Sequence, residues 1–293
     1  MSANPLDGFC DLHLHSAPAP FRRIGDTIEI ARHAREKGLL AIVVKSHFGD
    51  TAVKAFHASK EVEGLHVFSG IVLNRFVGGL NPVAVALALS MGAKIVWMPT
   101  LDAANHVRAF GAAGTFGFHA MEVGFMQRFK DLPGLTVLEK GRLKPEVKEI
   151  IQLVAEHDAV LATGHLAKEE ILELVAYTRS IRYPKVLVTH PEFTVPNLAV
   201  DDVRMLAREE VYFEFCAVNC FPIPQTTSLA GMRELIQAAG PDRGVLSSDG
   251  GQFFNPMPAE MLRVFVQGLH EKGVPADWIQ SMACKNPRYL LGV

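Results

Sequence analysis

Apolar residues in this chain come in short continuous runs, and nearly every run stops at a polar residue suited to chemistry. The first runs from about Phe9 to His15, and the second from Leu40 to Val44, stopping at Lys45, Ser46 and His47. The third spans His66 to Leu73 and stops at Asn74, and the fourth spans Lys94 to Thr100. After an interruption come Ala159 to Gly164, stopping at His165, and Lys185 to Thr189, stopping at His190. The seventh run is Val211 to Cys216, and the eighth, Gly244 to Ser248, stops at Asp249. Runs that are apolar throughout, rather than alternating, are what parallel strands covered on both faces require.

Most of the intervening segments have helical spacing. Asp26 and Glu29 form a capping-box pattern, with the helix stopping near Gly38. Gly49 and Asp50 begin a second helix, with Val53, Phe56 and His57 spaced for one face. Asn81 and Pro82 supply an N-cap and a first-turn proline. Pro145 opens a helix with Val147, Ile150, Ile151 and Val154 on one stripe, and Ile171, Leu174 and Val175 mark the next. Further helices are predicted over Asp201 to Glu209, Ser228 to Ala239, Ala259 to Glu271 and Pro275 to Cys284.

Eight strands with helices between them predict an α/β fold, a single-domain (β/α)8 TIM-like barrel over residues 1–293. A doubly wound open sheet would carry a glycine-rich phosphate turn after an early strand, and none is present. Residues 101–144 break the beat. They are rich in glycine and aromatics, end in a hairpin pattern around Gly141, and read as a long lid-like insertion after strand 4.

In such a barrel the C-terminal strand ends converge. His13 and His15 lie two apart, so an extended backbone points both to one face. With His165, His190 and Asp249 at other strand ends, the set matches what a divalent metal of the zinc type binds; manganese and iron accept the same ligands. Lys45 is the one lysine at a run end facing this site, and it shares a face with His47. His47, Asn74, Thr100 and His119 follow strands or lie in the insertion and are candidate substrate contacts.

His-x-His after the first strand, histidines after the fifth and sixth and an aspartate after the eighth resemble the amidohydrolase superfamily of metal-dependent hydrolases. Asn286 to Gly292 also resembles that superfamily's Asn-x-x-x-x-Leu-Gly ending. The resemblance covers essentially the whole chain and is strongest for small members with no added β-sandwich. It implies a first metal on His13, His15 and Asp249. His165 and His190 would hold a second, or one would bind the single metal while the other orients substrate or water. The departure is at strand four, which ends in Met98, Pro99 and Thr100 and offers neither the lysine nor the glutamate that bridges two metals in binuclear members. Lys45 would then either bridge or act as a cation beside a substrate carboxylate.

A metal-bound water of lowered pKa, with Asp249 taking the proton and His190 assisting at the oxyanion, implies hydrolysis of an amide, cyclic amide, lactone or ester of a small molecule. A decarboxylase or hydratase using the same ligands is the alternative within the resemblance. A barrel that binds metal or metabolite without turnover is the non-catalytic one. No Gly-x-Ser-x-Gly elbow supports a serine hydrolase, and a nucleophile at Cys216 or Cys220 has no evident partner.

Composition narrows partners more than fold. A net charge of −2, without a basic stripe, makes nucleic acid and anionic membrane poor partners. No apolar run reaches the ~20 residues that span a bilayer. Four cysteines do not make a disulfide framework in a chain this long, and a cytoplasmic location is expected. A homo-oligomer is expected only from the general frequency of oligomers among enzymes.

Overall fold

A computed structural model describes residues 6–116 and 124–293. Its strands are β1 (Cys10–Leu14), β2 (Ala41–Val44), β3 (His66–Val72), β4 (Ala93–Trp97), β5 (Leu138–Glu139), β6 (Arg142–Leu143), β7 (Val160–Ala162), β8 (Val186–Thr189), β9 (Tyr212–Cys216) and β10 (Gly244–Ser247). Its helices are α1 (Thr27–Glu36), α2 (Ala52–Glu61), α3 (Pro82–Ser90), α4 (Ala104–Phe110), α5 (Pro145–Glu156), α6 (Lys168–Ser180), α7 (Val200–Ala207), α8 (Leu229–Ala239), α9 (Pro258–Glu271), α10 (Ala276–Gln280) and α11 (Asn286–Leu291).

Eight strands form one sheet in the order β1-β2-β3-β4-β7-β8-β9-β10, every neighbouring pair parallel. Its edges meet where Leu14 bridges Gly250 and the His15 amide donates to the Gly250 carbonyl at 2.8 Å. The result is a nearly closed barrel with helices between successive strands, as the alternation of runs predicts.

Strand residues sort by parity. Along β2, Ala41 and Val43 join the cluster that fills the barrel, while Ile42 and Val44 pack outward under the helices. Ile95 and Trp97 of β4, Tyr212 of β9 and Val245 of β10 also face in. Continuing the inward parity one step past the apolar part reaches Lys45 after β2, Glu214 and Cys216 in β9, and Ser247 then Asp249 at β10. The period of two that builds the core therefore also aims these polar groups at the C-terminal mouth.

Local signals explain the helix starts. Asp26 and Glu29 make the reciprocal capping box, each side chain 2.8 Å from the other's backbone amide. Asn81 Oδ1 accepts from the Val83 and Ala84 amides ahead of α3. The α2 pattern needs correction: Val53 and Phe56 are 68% and 55% exposed, and the helix buries Ala55 and Ala58 instead. Small residues are chosen there because α2 lies close on β3. The C-terminal segment is also not one helix. A π turn over Ser281–Lys285 joins α10 to α11, and Asn286 Nδ2 donates to the Pro241 and Gly244 carbonyls at 2.7 Å, tying α11 to the start of β10.

The 101–144 segment holds regular structure among its described residues. It contains α4, a 3-10 turn over Gly124–Phe129, and the antiparallel pair β5-β6 around Gly141. Its return is pinned to its start, because the Leu135 amide donates to the Asp102 carbonyl and the Ala104 amide to that of Leu135.

Candidate active site

The mouth of the barrel is an open cleft of about 500 Å³ lined by His15, Lys45, His47, His165, His190 and Asp249, with aromatic walls from Phe116, Phe193 and Phe254. Two of its residues hold backbone conformations that non-glycine residues seldom adopt: His190 has φ 29° and Asp249 φ 46°. Such strain survives only where the surroundings impose it, and it concentrates at functional sites. Glycine makes the adjoining turn: Gly251 has φ +114°, and a Cβ there would lie 1.9 Å from the His15 carbonyl oxygen.

The centre is three ligand atoms that face one another. His13 Nε2 and His15 Nε2 each lie 3.1 Å from Asp249 Oδ1. His13 Nδ1 lies 3.1 Å from Glu214 Oε2, and Glu214 Oε1 accepts from Ser247 at 2.9 Å. That carboxylate accepts from His13 Nδ1, so a neutral His13 would keep its hydrogen there and leave the Nε2 lone pair for a metal, the arrangement by which an outer carboxylate prepares a metal-binding imidazole. Burial disfavours ionised Asp249, but the charge of His13 and hydrogen bonds from His13 and His15 outweigh it and hold the carboxyl well below its usual range. Burial also pushes His15 well below its usual value, which leaves a neutral imidazole. Burial opposes a charge on His13, but Asp249 and Glu214 outweigh it and raise its pKa, so a metal bound here would displace a proton from His13. Two imidazoles and a carboxylate are the donor set of a divalent metal, and their ligand atoms lie within 4.8 Å of one another.

Lys45 lies deep in the same site. Its Nζ is 2.9 Å from His13 Nε2 and 5.4 Å from the Trp97 ring centroid. Burial lowers its pKa, with Asp249 and Glu214 opposing that effect.

His165 and His190 stand across the cleft with ring centroids 5.0 Å apart, and His190 is 6.0 Å from His13. Burial pushes His190 down to about 3. His165 is steered by a histidine from the segment after β4. His106, on α4, has Nε2 2.7 Å from the Thr115 carbonyl and Nδ1 2.8 Å from His165 Nδ1. A carbonyl only accepts, so His106 Nε2 carries hydrogen. Burial holds His106 down to about 4, so it is neutral and its Nδ1 is an acceptor. His165 Nδ1 must then donate, which leaves the lone pair on His165 Nε2.

The candidate substrate contacts divide. His47 lines the cleft, with its ring stacked on His15 at 4.8 Å. Asn74 and Thr100 are fully buried behind it instead. Asn74 Nδ2 donates to the His47 carbonyl and Thr100 Oγ1, its Oδ1 accepts from the Thr100 amide, and His47 Nδ1 is 3.0 Å from Thr100 Oγ1. They brace His47 rather than face a ligand. His119 lies outside the described residues.

Glu214, His106 and Glu192 are not singled out by the pattern of strand ends. The signal for Glu214 was parity, since it shares the inward register of β9. Glu192, two residues past His190, accepts from the Cys216 amide and Asn219 Nδ2, and burial raises it to about 7. Cys216 approaches His13 Nδ1 at 3.8 Å, but burial and then the Glu214 charge push its thiol well above the usual value, against a thiolate nucleophile.

The sequence profile of the family of unknown function DUF6282 matches residues 8–214. No curated protein matches the sequence. Among solved structures, the chain is similar to an amidohydrolase from Pseudomonas aeruginosa at 12% identity and TM-score 0.63, covering 99% of this chain and 98% of that one. It is similar to a lactonase from Listeria monocytogenes at 14% identity and TM-score 0.62, covering 98% and 96%. A mutant organophosphorus hydrolase from Deinococcus radiodurans matches at 13% identity and TM-score 0.59, covering 99% and 95%. At these identities the likeness is one of fold.

Proposed function

The chain belongs to the DUF6282 family, and from that premise we propose that it is a metal-dependent hydrolase of the amidohydrolase type, acting on a small molecule with a lactone, ester, amide or cyclic amide bond. The observation that carries this reading is the convergence of His13 Nε2, His15 Nε2 and Asp249 Oδ1, with His13 oriented by Glu214. The solved structures of similar fold bear hydrolase and lactonase names, which supports the class of reaction.

His13, His15 and Asp249 would hold the metal, most simply zinc, with manganese or iron accepting the same donors. His165 or His190 would complete its shell or hold a second ion. When bound, the ion lowers the pKa of water toward about 7 and polarises a carbonyl. The chain's own residues do the rest. Asp249 has one oxygen against both histidines and receives the proton of the attacking water, then passes it to the leaving group. His190, neutral because it is buried, faces the position where negative charge develops on the substrate oxygen. Aromatic side chains wall the cleft, and Phe116 from the segment 101–144 lines one side, which supports the lid reading of that segment.

The test is a panel of lactones, esters, amides and cyclic amides with the metal-loaded protein. Turnover that disappears in Asp249→Ala supports the proposal; a folded, metal-loaded protein without turnover on any class contradicts it. One observation favours a second reading. The Lys45 ammonium sits beside His13 without a carboxylate within ion-pair distance among the described residues. A metal-dependent decarboxylase would use such a cation, and release of carbon dioxide from a carboxylate substrate would identify it.

A further inference from the structure

Arg23 is the least explained charge of the cleft. Other arginines meet carboxylates near the surface, as Arg263 does with Glu260 and Arg179 with Glu209. Arg23 has no ion pair, and its buried Nε and Nη1 have no hydrogen-bond partner among the described residues. Its backbone is fixed. Arg23 forms an antiparallel bridge with Gln252, and the neighbouring Ile24 amide donates to the Gly251 carbonyl at 3.0 Å. This ties the segment before α1 to the turn that carries Asp249. The guanidinium lies 5.6 Å from the Phe21 ring centroid and lines the cleft beside His15, His47 and Gln252. Burial lowers its pKa only to about 10, so it is charged at neutral pH. Asp249 is close enough for its charge to favour the Arg23 cation, but it lies beyond ion-pair distance and turns Oδ1 toward His13 and His15.

A desolvated guanidinium with unused donors is costly unless a ligand completes it. Its Nε–Nη edge is a planar fork that matches a carboxylate in two parallel hydrogen bonds. Beyond it the cleft wall is apolar: Phe116, Phe193, Ile223 and Phe254. The other cation of the cleft, Lys45, is 2.9 Å from His13 Nε2 at the reacting end, which leaves the Arg23 fork to meet one planar anion away from it. We propose that Arg23 is a substrate-anchoring residue that binds a carboxylate carried by the substrate away from the reacting bond, so that the substrates are small carboxylates with an apolar or aromatic body. This rests on the hydrolase reading for the term substrate, but the anion site itself does not need a metal.

The experiment measures calorimetric binding of benzoate, its neutral analogue benzamide, and phenyl phosphate. It uses the protein as purified and after chelation, in wild type, Arg23→Gln and Arg23→Lys. Benzoate is expected to bind wild type at least about tenfold more tightly than benzamide in both metal states, and more tightly than phenyl phosphate. Arg23→Gln is expected to abolish that preference without changing metal content, and Arg23→Lys to restore part of it, since an ammonium lacks the fork. Four results would overturn the proposal: benzoate binding unaltered in Arg23→Gln, binding only when metal is present, no wild-type preference over benzamide, or a preference for phenyl phosphate. The wild-type comparison stands even if a variant fails to fold. Elemental analysis of the same samples reads the hydrolase proposal separately: Arg23-dependent binding in a protein that takes up no metal would leave the anion site and remove the metal chemistry.

Discussion

Side chains in this cleft act through the atoms their neighbours leave free. His106 is the clearest case, because its bond to the Thr115 carbonyl dictates its own tautomer and then that of His165. Ring 15N chemical shifts of wild type should show His165 with hydrogen on Nδ1, and His106→Ala should give a mixture of tautomers. An Nε2–H form in wild type would contradict the assignment. Loss of such an outer partner typically costs 10- to 100-fold in metal affinity or activity, so a drop of roughly that size in kcat/KM is expected. The buried Cys10 gives a pH prediction. Burial, then the neighbouring Cys284, raises its thiol to about 12. The unfolded thiol ionises near 8.5 while the folded one keeps its proton, so the unfolded state gains stability as pH rises from about 8.5 toward 12. Burial also pushes up the Cys216 and Cys220 thiols, which cost stability in the same window, so urea titrations should show a loss by pH 10 that is about 2 kcal/mol smaller in Cys10→Ala than in wild type. An equal loss in both proteins would contradict this.

At the scale of elements, the turn after β10 holds the arrangement together. Gly251 brings its backbone against the His15 carbonyl at a φ that other residues resist, and the same turn carries Asp249 and receives Arg23. Gly251→Ala should therefore cost at least about 2 kcal/mol in chemical denaturation, through backbone strain and collision with His15. An unchanged denaturation midpoint would show that the turn relaxes freely. The insertion is where local pattern reading was weakest. Its hairpin was legible from Gly141 between two short apolar stretches. The partnership of His106 with His165 was not, because it depends on α4 folding back over the mouth, and no periodicity records that path. Asn74 and Thr100 were misplaced for a related reason. Polar residues after strands look like ligand contacts in sequence, yet these two satisfy each other and the His47 backbone in the interior.

For the molecule as a whole, the barrel was readable because its strands are buried on both faces and so appear as unbroken apolar runs. The ends of those runs also announced His13, His15, Lys45, His165, His190 and Asp249 as residues at one mouth. Their pairing was not announced. That Glu214 orients His13 across 201 residues of chain, or that Lys45 lies against His13 rather than standing apart, follows from barrel closure. Arg23 meets the Asp249 turn for the same reason. Only the three-dimensional register brings β1 and β10 together, and with them the three atoms proposed to hold a metal.

The most direct measurement is elemental analysis of the purified protein after zinc, manganese or iron loading, in wild type, Asp249→Ala and Lys45→Ala. With His13, His15 and Asp249 as one ligand cluster, wild type should hold about one ion per chain, Asp249→Ala should lose it, and Lys45→Ala should keep it. About two ions in wild type, falling to one in Lys45→Ala, would assign Lys45 as a bridge. No bound metal under any loading condition would contradict the account.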